Sequence, residues 1–281
     1  MSDAAYPVPD PEPDHAYLGT RRLDDTTWDL PVTPAVLNLL GDLYGGAGIA
    51  VSSIAVESVT GRPLRWITCQ FVGTATDGET VRVQVEVDNE GRRVSQAHVV
   101  GTVGDRVVFR SVAATGRPRA GVPATRWVRM PDVAGPDDCP ELSLDPGIES
   151  KGASHEPIER RLASGPEPVA FLQDDARPEG FQMSFWARMA DTRSASPAML
   201  GWLADIVMAS VVAGTGQPLG GKSLDNTLRM VTRADPEWVL VDLRPVAIAD
   251  GYAYGDVHLW TPDGRLLATA SQTASASPWG G

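Results

Sequence analysis

The chain has 281 residues, with 24 basic against 36 acidic side chains and a net charge of −12. That length allows one large or two small domains with a sizeable core. The acidic balance argues against nucleic acid or an anionic membrane as partner. The two cysteines, Cys69 and Cys139, lie far apart and show no metal-ligand spacing.

Residues 1–15 are acidic, with Pro7, Pro9, Pro11 and Pro13 among mostly polar residues. This composition predicts a disordered tail. It offers neither the basic start nor the apolar centre of a signal peptide. No segment reaches the roughly 18 uninterrupted apolar residues of a spanning helix. The expectation is a soluble, cytoplasmic protein with reduced cysteines.

Order is expected from about Tyr17, opening a first unit over 16–115. A helical pattern covers Ala35 to Leu40 and stops at Gly41. A longer apolar helix follows Gly45-Gly46 and runs to about Val59; Gly61 ends it and Pro63 forbids its continuation. Leu64 to Phe71 is β-rich. Val81 to Val87 alternates apolar and polar with period two, the mark of a strand with one buried face. Further strands are expected over Val94–Val103 and Arg106–Ala114, with a turn at Gly104-Asp105. Residues 116–165 hold Pro118, Pro123, Pro131, Pro136, Pro140, Pro146 and Pro157, and suggest a loosely ordered linker.

A second unit, 166–276, repeats the plan. Phe181–Met189 suggests a strand, and Ser196-Pro197 opens an apolar helix over Ala198–Val212. Strands follow at Ser223–Thr232, Trp238–Arg244, Gly251–Trp260 and Arg265–Ala274, the last two joined at Pro262-Asp263-Gly264. The turn Thr60-Gly61-Arg62-Pro63 closes the first helix, and Thr215-Gly216-Gln217-Pro218 closes the second. A repeated unit must be found before any motif is interpreted. A helix wrapped by a curved antiparallel sheet, occurring twice, is an α+β double hotdog. Pairing the open edges of the two halves makes one continuous sheet and removes two exposed edges.

One motif conflicts with this plan. Residues 216–223, Gly-Gln-Pro-Leu-Gly-Gly-Lys-Ser, satisfy the phosphate-binding G-x-x-x-x-G-K-S letter for letter. The preceding apolar segment is longer than a strand, and the residues after Asp242 form hairpins rather than parallel crossovers. The P-loop NTPase reading is therefore rejected.

Three segments carry a family resemblance: Leu200-Gly201-Trp202-Leu203-Ala204-Asp205, Lys222-Ser223-Leu224-Asp225-Asn226-Thr227 and Leu267-Ala268-Thr269-Ala270-Ser271-Gln272. With Asp235 to Val241 between them, they resemble the type II (TesB-like) acyl-CoA thioesterases. The resemblance implies hydrolysis of acyl-CoA by an activated water, with no metal, cofactor or covalent intermediate. It places the polar triad on Asp205, Ser223 and Gln272. It departs from the family at Asn226, where His is frequent, at Ser223, where Thr is common, and at Ala47 after Gly45-Gly46. A carboxylate can take the proton of water while a hydroxyl and an amide orient it.

Backbone N–H groups of Gly45 and Gly46 are the expected donors to the thioester oxygen. Arg229, Arg188 and Lys222 are candidates to meet CoA phosphates, and Trp202 to line an acyl channel. Aligning the T-G-x-P turns sets Asp205 against Ala50 and Ser223 against Thr68; aligning the last hairpins sets Gln272 against Ala113. One site per chain is expected. A homo-oligomer is the expected assembly, and a non-catalytic acyl-CoA-binding hotdog protein is the alternative function.

Overall fold

The computed structural model describes residues 12–143, 151–165, 181–190 and 193–278. The first half contains α1 (Glu12–Leu18), β1 (Arg21–Arg22), β2 (Thr27–Pro31), α2 (Gly45–Thr60), β3 (Leu64–Phe71), β4 (Thr80–Glu90), β5 (Val94–Val103) and β6 (Arg106–Gly116). Then come β7 (Ile158–Ser164), β8 (Met183–Met189), α3 (Pro197–Ala204), α4 (Val207–Thr215), β9 (Leu219–Gly220), β10 (Ser223–Met230), β11 (Val239–Ala249), β12 (Tyr252–Trp260), β13 (Leu266–Ser275) and β14 (Ser277–Pro278).

Twelve strands form one sheet in the order β1-β2-β4-β5-β6-β3-β10-β13-β12-β11-β8-β7, and β9 pairs with β14 apart from it. Every pairing in the large sheet is antiparallel. The double-hotdog expectation holds. Val81, Val83 and Val85 of β4 turn inward while their neighbours face solvent, as the period-two pattern predicts. The two T-G-x-P turns are the same structure. Gly61 and Gly216 both sit in the left-handed region, with φ of 59° and 61°. Each donates its N–H back to the helix it ends, to the Glu57 and Val212 carbonyls.

The halves meet at β3 and β10. Gln70 and Asp225, equivalent in the repeat alignment, face each other across that pairing, so the pseudo-twofold runs through it. Thr68 and Thr227 hydroxyls lie 2.9 Å apart at the seam. Helix α2 packs on α3 through small residues. A side chain on Gly201 would come within 2.9 Å of Ile49. The buried Glu57 carboxylate of α2 receives both the Arg233 guanidinium and the Leu64 N–H.

Several expectations are corrected. The disordered tail is expected to reach residue 15, yet Glu12–Leu18 is helical and Asp14 is buried; residues 1–11 lie outside the description. The helical pattern at Ala35–Leu40 yields only a 3₁₀ turn, Pro34–Val36. The linker is not loose throughout. Its β7 pairs with β8, extending the sheet, so the second unit begins before residue 166. Trp186, Leu240 and Trp260 project from the outer face of the sheet. Val128, Met130, Val133 and Cys139 of the proline-rich segment cover them, and Trp186 Nε1 donates to the Ala134 carbonyl. An outward-facing apolar surface of this size requires such a cover.

Substituting alanine for Gly216 forces a Cβ into left-handed backbone. The expected loss is about 1–2 kcal/mol, read as a lower urea midpoint with an unchanged slope.

Candidate active site

The second helix is expected to run unbroken over Ala198–Val212. It is instead split: α3 ends at Ala204, Asp205 and Ile206 leave helical geometry, and α4 begins at Val207. Its equivalent in the first half, α2, continues through Ala50 without interruption. Two side chains hold the split open. Gln272 Oε1 accepts the Val207 N–H at 2.9 Å. The Tyr44 hydroxyl lies 2.8 Å from both the Trp202 and Asp205 carbonyl oxygens. The Val207 N–H and the carbonyl that takes the Tyr44 proton thereby gain partners.

The break turns Asp205 toward β10 and β13. Gln272 and Asn226 are cross-strand partners, so both face the helices. A shift of register between Ser223 and Asp225 inserts an extra residue. Without it, Ser223 and Asn226, three positions apart, would point to opposite faces. With it, both reach the same carboxylate oxygen. Ser223 Oγ donates to Asp205 Oδ1 at 3.1 Å and Asn226 Nδ2 at 3.4 Å, and Gln272 Nε2 donates to the same oxygen. Gln272 Nε2 also lies 2.7 Å from Ser223 Oγ. Asp205 Oδ2 lies against Gly45, where any side chain would collide with it and with Phe71. Glycine is required there by close approach.

The Asp205, Ser223 and Gln272 side chains are thus brought together in one hydrogen-bonded cluster. With Gly45 it lines a cavity of about 550 Å³, whose apolar wall includes Phe71, Phe109, Met208 and Leu219. Burial pushes the Asp205 carboxyl up to about 6, against the opposing hydrogen bonds from Ser223, Asn226 and the Gly46 N–H.

Other expected site residues are placed elsewhere. The Gly46 N–H is among the groups that favour the charged Asp205 carboxylate, and Gly46 does not line the cavity. Trp202 is fully buried in the core, its ring edge-on to Tyr17 and Tyr44, and it does not line the cavity. Arg229 is exposed, on the sheet face opposite Leu228 and Asn226. Strand parity after the bulge sends it outward. Arg188 is held by Glu159 and Glu237 over the Trp238 ring. Of the expected cations, only Lys222 borders the cavity, 3.1 Å from Asp42. Asp225 accepts the Thr273 N–H, a structural role. The G-x-x-x-x-G-K-S segment is the cap of α4 followed by the cavity rim, and its flanking strand is antiparallel.

Asn226, noted as a departure from the family, bonds Asp205, and Tyr44 and His155 line the site without having been singled out for it. Tyr44 precedes Gly45-Gly46, the one sequence signal that would have found it. His155 gives none.

Fold and site together define a double hotdog with one buried polar cluster where its halves meet. The comparisons agree over most of the chain. Residues 34–116 match the model of the acyl-CoA thioesterase N-terminal domain, and residues 136–276 that of the acyl-CoA thioesterase C-terminal domain. The crystal structure of a putative thioesterase from Novosphingobium aromaticivorans is 34% identical, with a TM-score of 0.81 over 91% of this chain and 97% of that one. A hot dog-fold protein of unknown function from Alicyclobacillus acidocaldarius is 21% identical, with a TM-score of 0.77 over 91% and 95%. The acyl-CoA thioesterase II TesB2 of Mycobacterium marinum is 18% identical, with a TM-score of 0.72 over 95% and 98%, a likeness of fold. Among curated protein sequences none matches. The chain belongs to the acyl-CoA thioesterase family, and it is an enzyme that hydrolyses thioesters.

The raised Asp205 carboxyl has a consequence for stability. Its folded value, about 6, lies above the ordinary value, so the folded state holds the proton more tightly. Stability therefore falls as pH rises from about 4 to about 6, and the full cost is present above that. Asp205→Asn removes the charge. It is expected to raise the melting temperature at pH 8 and to leave it unchanged at pH 4.

Proposed function

We propose that the protein hydrolyses acyl-CoA by direct attack of a water molecule, with Asp205 as general base and Ser223 and Gln272 fixing its geometry. The observation that carries this reading is the division of labour on one buried carboxylate. Three side-chain donors gather on Oδ1. Oδ2 lies against Gly45, one of the residues that line the cavity. A water at Oδ2 has one hydrogen directed at a fixed acceptor.

As its oxygen attacks the thioester carbon, that proton passes to Asp205 and the carbonyl oxygen becomes an oxyanion. Collapse of the tetrahedral intermediate breaks the C–S bond. Thiolate leaves and takes the proton back from Asp205, yielding free acid and CoA. Atoms and charge balance with water as the only co-substrate. A proton affinity near 6 suits both halves of this exchange at neutral pH, strong enough to accept and weak enough to return.

The first half contributes Gly45 and Tyr44 but no second triad. Ala50 and Ala113 stand where Asp205 and Gln272 stand in the other half. One site per chain follows.

Thiol release from acetyl-, hexanoyl- and palmitoyl-CoA tests the mechanism. Asp205→Ala is expected to lower kcat by about two orders of magnitude or more, the scale of general-base catalysis. Equal rates in wild type and variant would instead favour an acyl-CoA-binding protein. In the wild type, kcat/KM is expected to fall below about pH 6, with the protonation of Asp205. Ser223→Ala removes a donor that stabilises the carboxylate, so the fall should move to higher pH.

A further inference from the structure

Attack by water leaves negative charge on the thioester oxygen, and that charge needs a donor. Of the two expected donors, Gly45 and Gly46, the Gly46 N–H already serves to stabilise the Asp205 carboxylate. The cavity has another candidate, from a segment that looks like a mere connection in the sequence.

Residues 151–155 cross onto the first half and are pinned there. The N–H groups of Lys151, Ala153 and Ser154 bond the carbonyls of Leu39, Pro34 and Leu37. Gly152 abuts the Leu37 and Asn38 carbonyls so closely that no side chain fits. This path ends with the His155 ring on the wall of the catalytic cavity, among Tyr44, Gly45 and Asp205.

The environment of the ring fixes its chemistry. Arg160 Nη2 lies 3.2 Å from His155 Nδ1, and Arg160 Nη1 bonds the His155 carbonyl at 3.0 Å. A guanidinium has only donors to offer, so Nδ1 must accept. The ring proton then sits on Nε2, on the side away from Arg160. The Tyr44 ring packs edge-on at 5.1 Å and restricts rotation. The charged groups that share the cavity are Asp205 and the Lys222–Asp42 pair. Burial and the neighbouring Arg160 charge push the imidazolium form down to about 3, so the ring is neutral throughout the working range. A neutral imidazole in one enforced tautomer is a donor, not an acid or a base.

We propose that His155 is a catalytic residue, donating its Nε2–H to the thioester carbonyl oxygen as that oxygen gains charge. Arg160 is its positioning residue. The inference rests on the thioester hydrolysis proposed above and adds the electrophilic partner to Asp205.

The test uses the full chain and the best substrate of the acyl-CoA panel. His155→Phe keeps a ring against Tyr44 but has no N–H. His155→Gln keeps a donor, and its carbonyl can still accept from Arg160. The Phe variant is expected to lose about 10²-fold in kcat, the usual effect of removing one such donor, with KM within about threefold. The Gln variant is expected to stay within about tenfold of wild type in kcat. Neither should change the pH at which kcat/KM falls, since the ring carries no titrating proton. If the Phe variant does not fold, His155→Leu replaces it in the same comparison. A Phe variant with wild-type kcat overturns the proposal, as does a loss confined to KM. So does a limb of the pH profile that disappears in the Gln variant. The hydrolysis reading fails differently, in a wild type that releases no thiol.

Discussion

The pairing of β3 with β10 is the constraint on which the molecule depends. Among the described residues it is the only strand pairing that joins the two repeats in the large sheet. It sets α2 of one half beside α3 of the other, and so brings Gly45 and Tyr44 to a carboxylate that neither half would enclose alone. Side chains bond across the seam, Thr68 with Thr227 and Glu57 with Arg233. The β3 and β10 edges, exposed in isolated halves, are consumed in forming the site.

Around this symmetric frame the chemistry is asymmetric. Helix α2 is intact because Ala50 asks nothing of its surroundings. Its counterpart breaks because Gln272 and Tyr44 take the backbone groups that would have continued it. Gln272 acts at both ends of its amide. The carbonyl holds the start of α4 and the nitrogen holds Asp205 and Ser223. Position of the Asp205 carboxylate and shape of the helix are therefore one structural fact, not two.

Much of this was legible in the sequence. Turn chemistry is local, so T-G-x-P fixed both helix ends and the repeat. Alternation in Val81–Val87 fixed a buried face. The triad came from family resemblance, and the structure assembles it. What was hidden depended on tertiary competition or on parity. Nothing in the apolar Ala198–Val212 pattern marks a break, because the groups that cause it lie at 44 and 272. Arg229 looked suited to a phosphate by charge alone; the bulge at Ser223–Asp225 decides its face. Trp202 looked like a channel wall, but ring packing with Tyr17 and Tyr44 keeps it in the core. His155 lay within a proline-rich stretch with no periodicity, and only the contacts of 151–154 with 34–39 carry it to the cavity.

The single helix break has one more implication. A symmetric pair of such units, each with its own catalytic carboxylate, would carry two dehydrated anions near the same seam. Retaining alanine at the mirror position confines that electrostatic burden to one copy. The other copy serves as ballast, a buttress whose own buried carboxylate, Glu57, is neutralised by Arg233 across the seam.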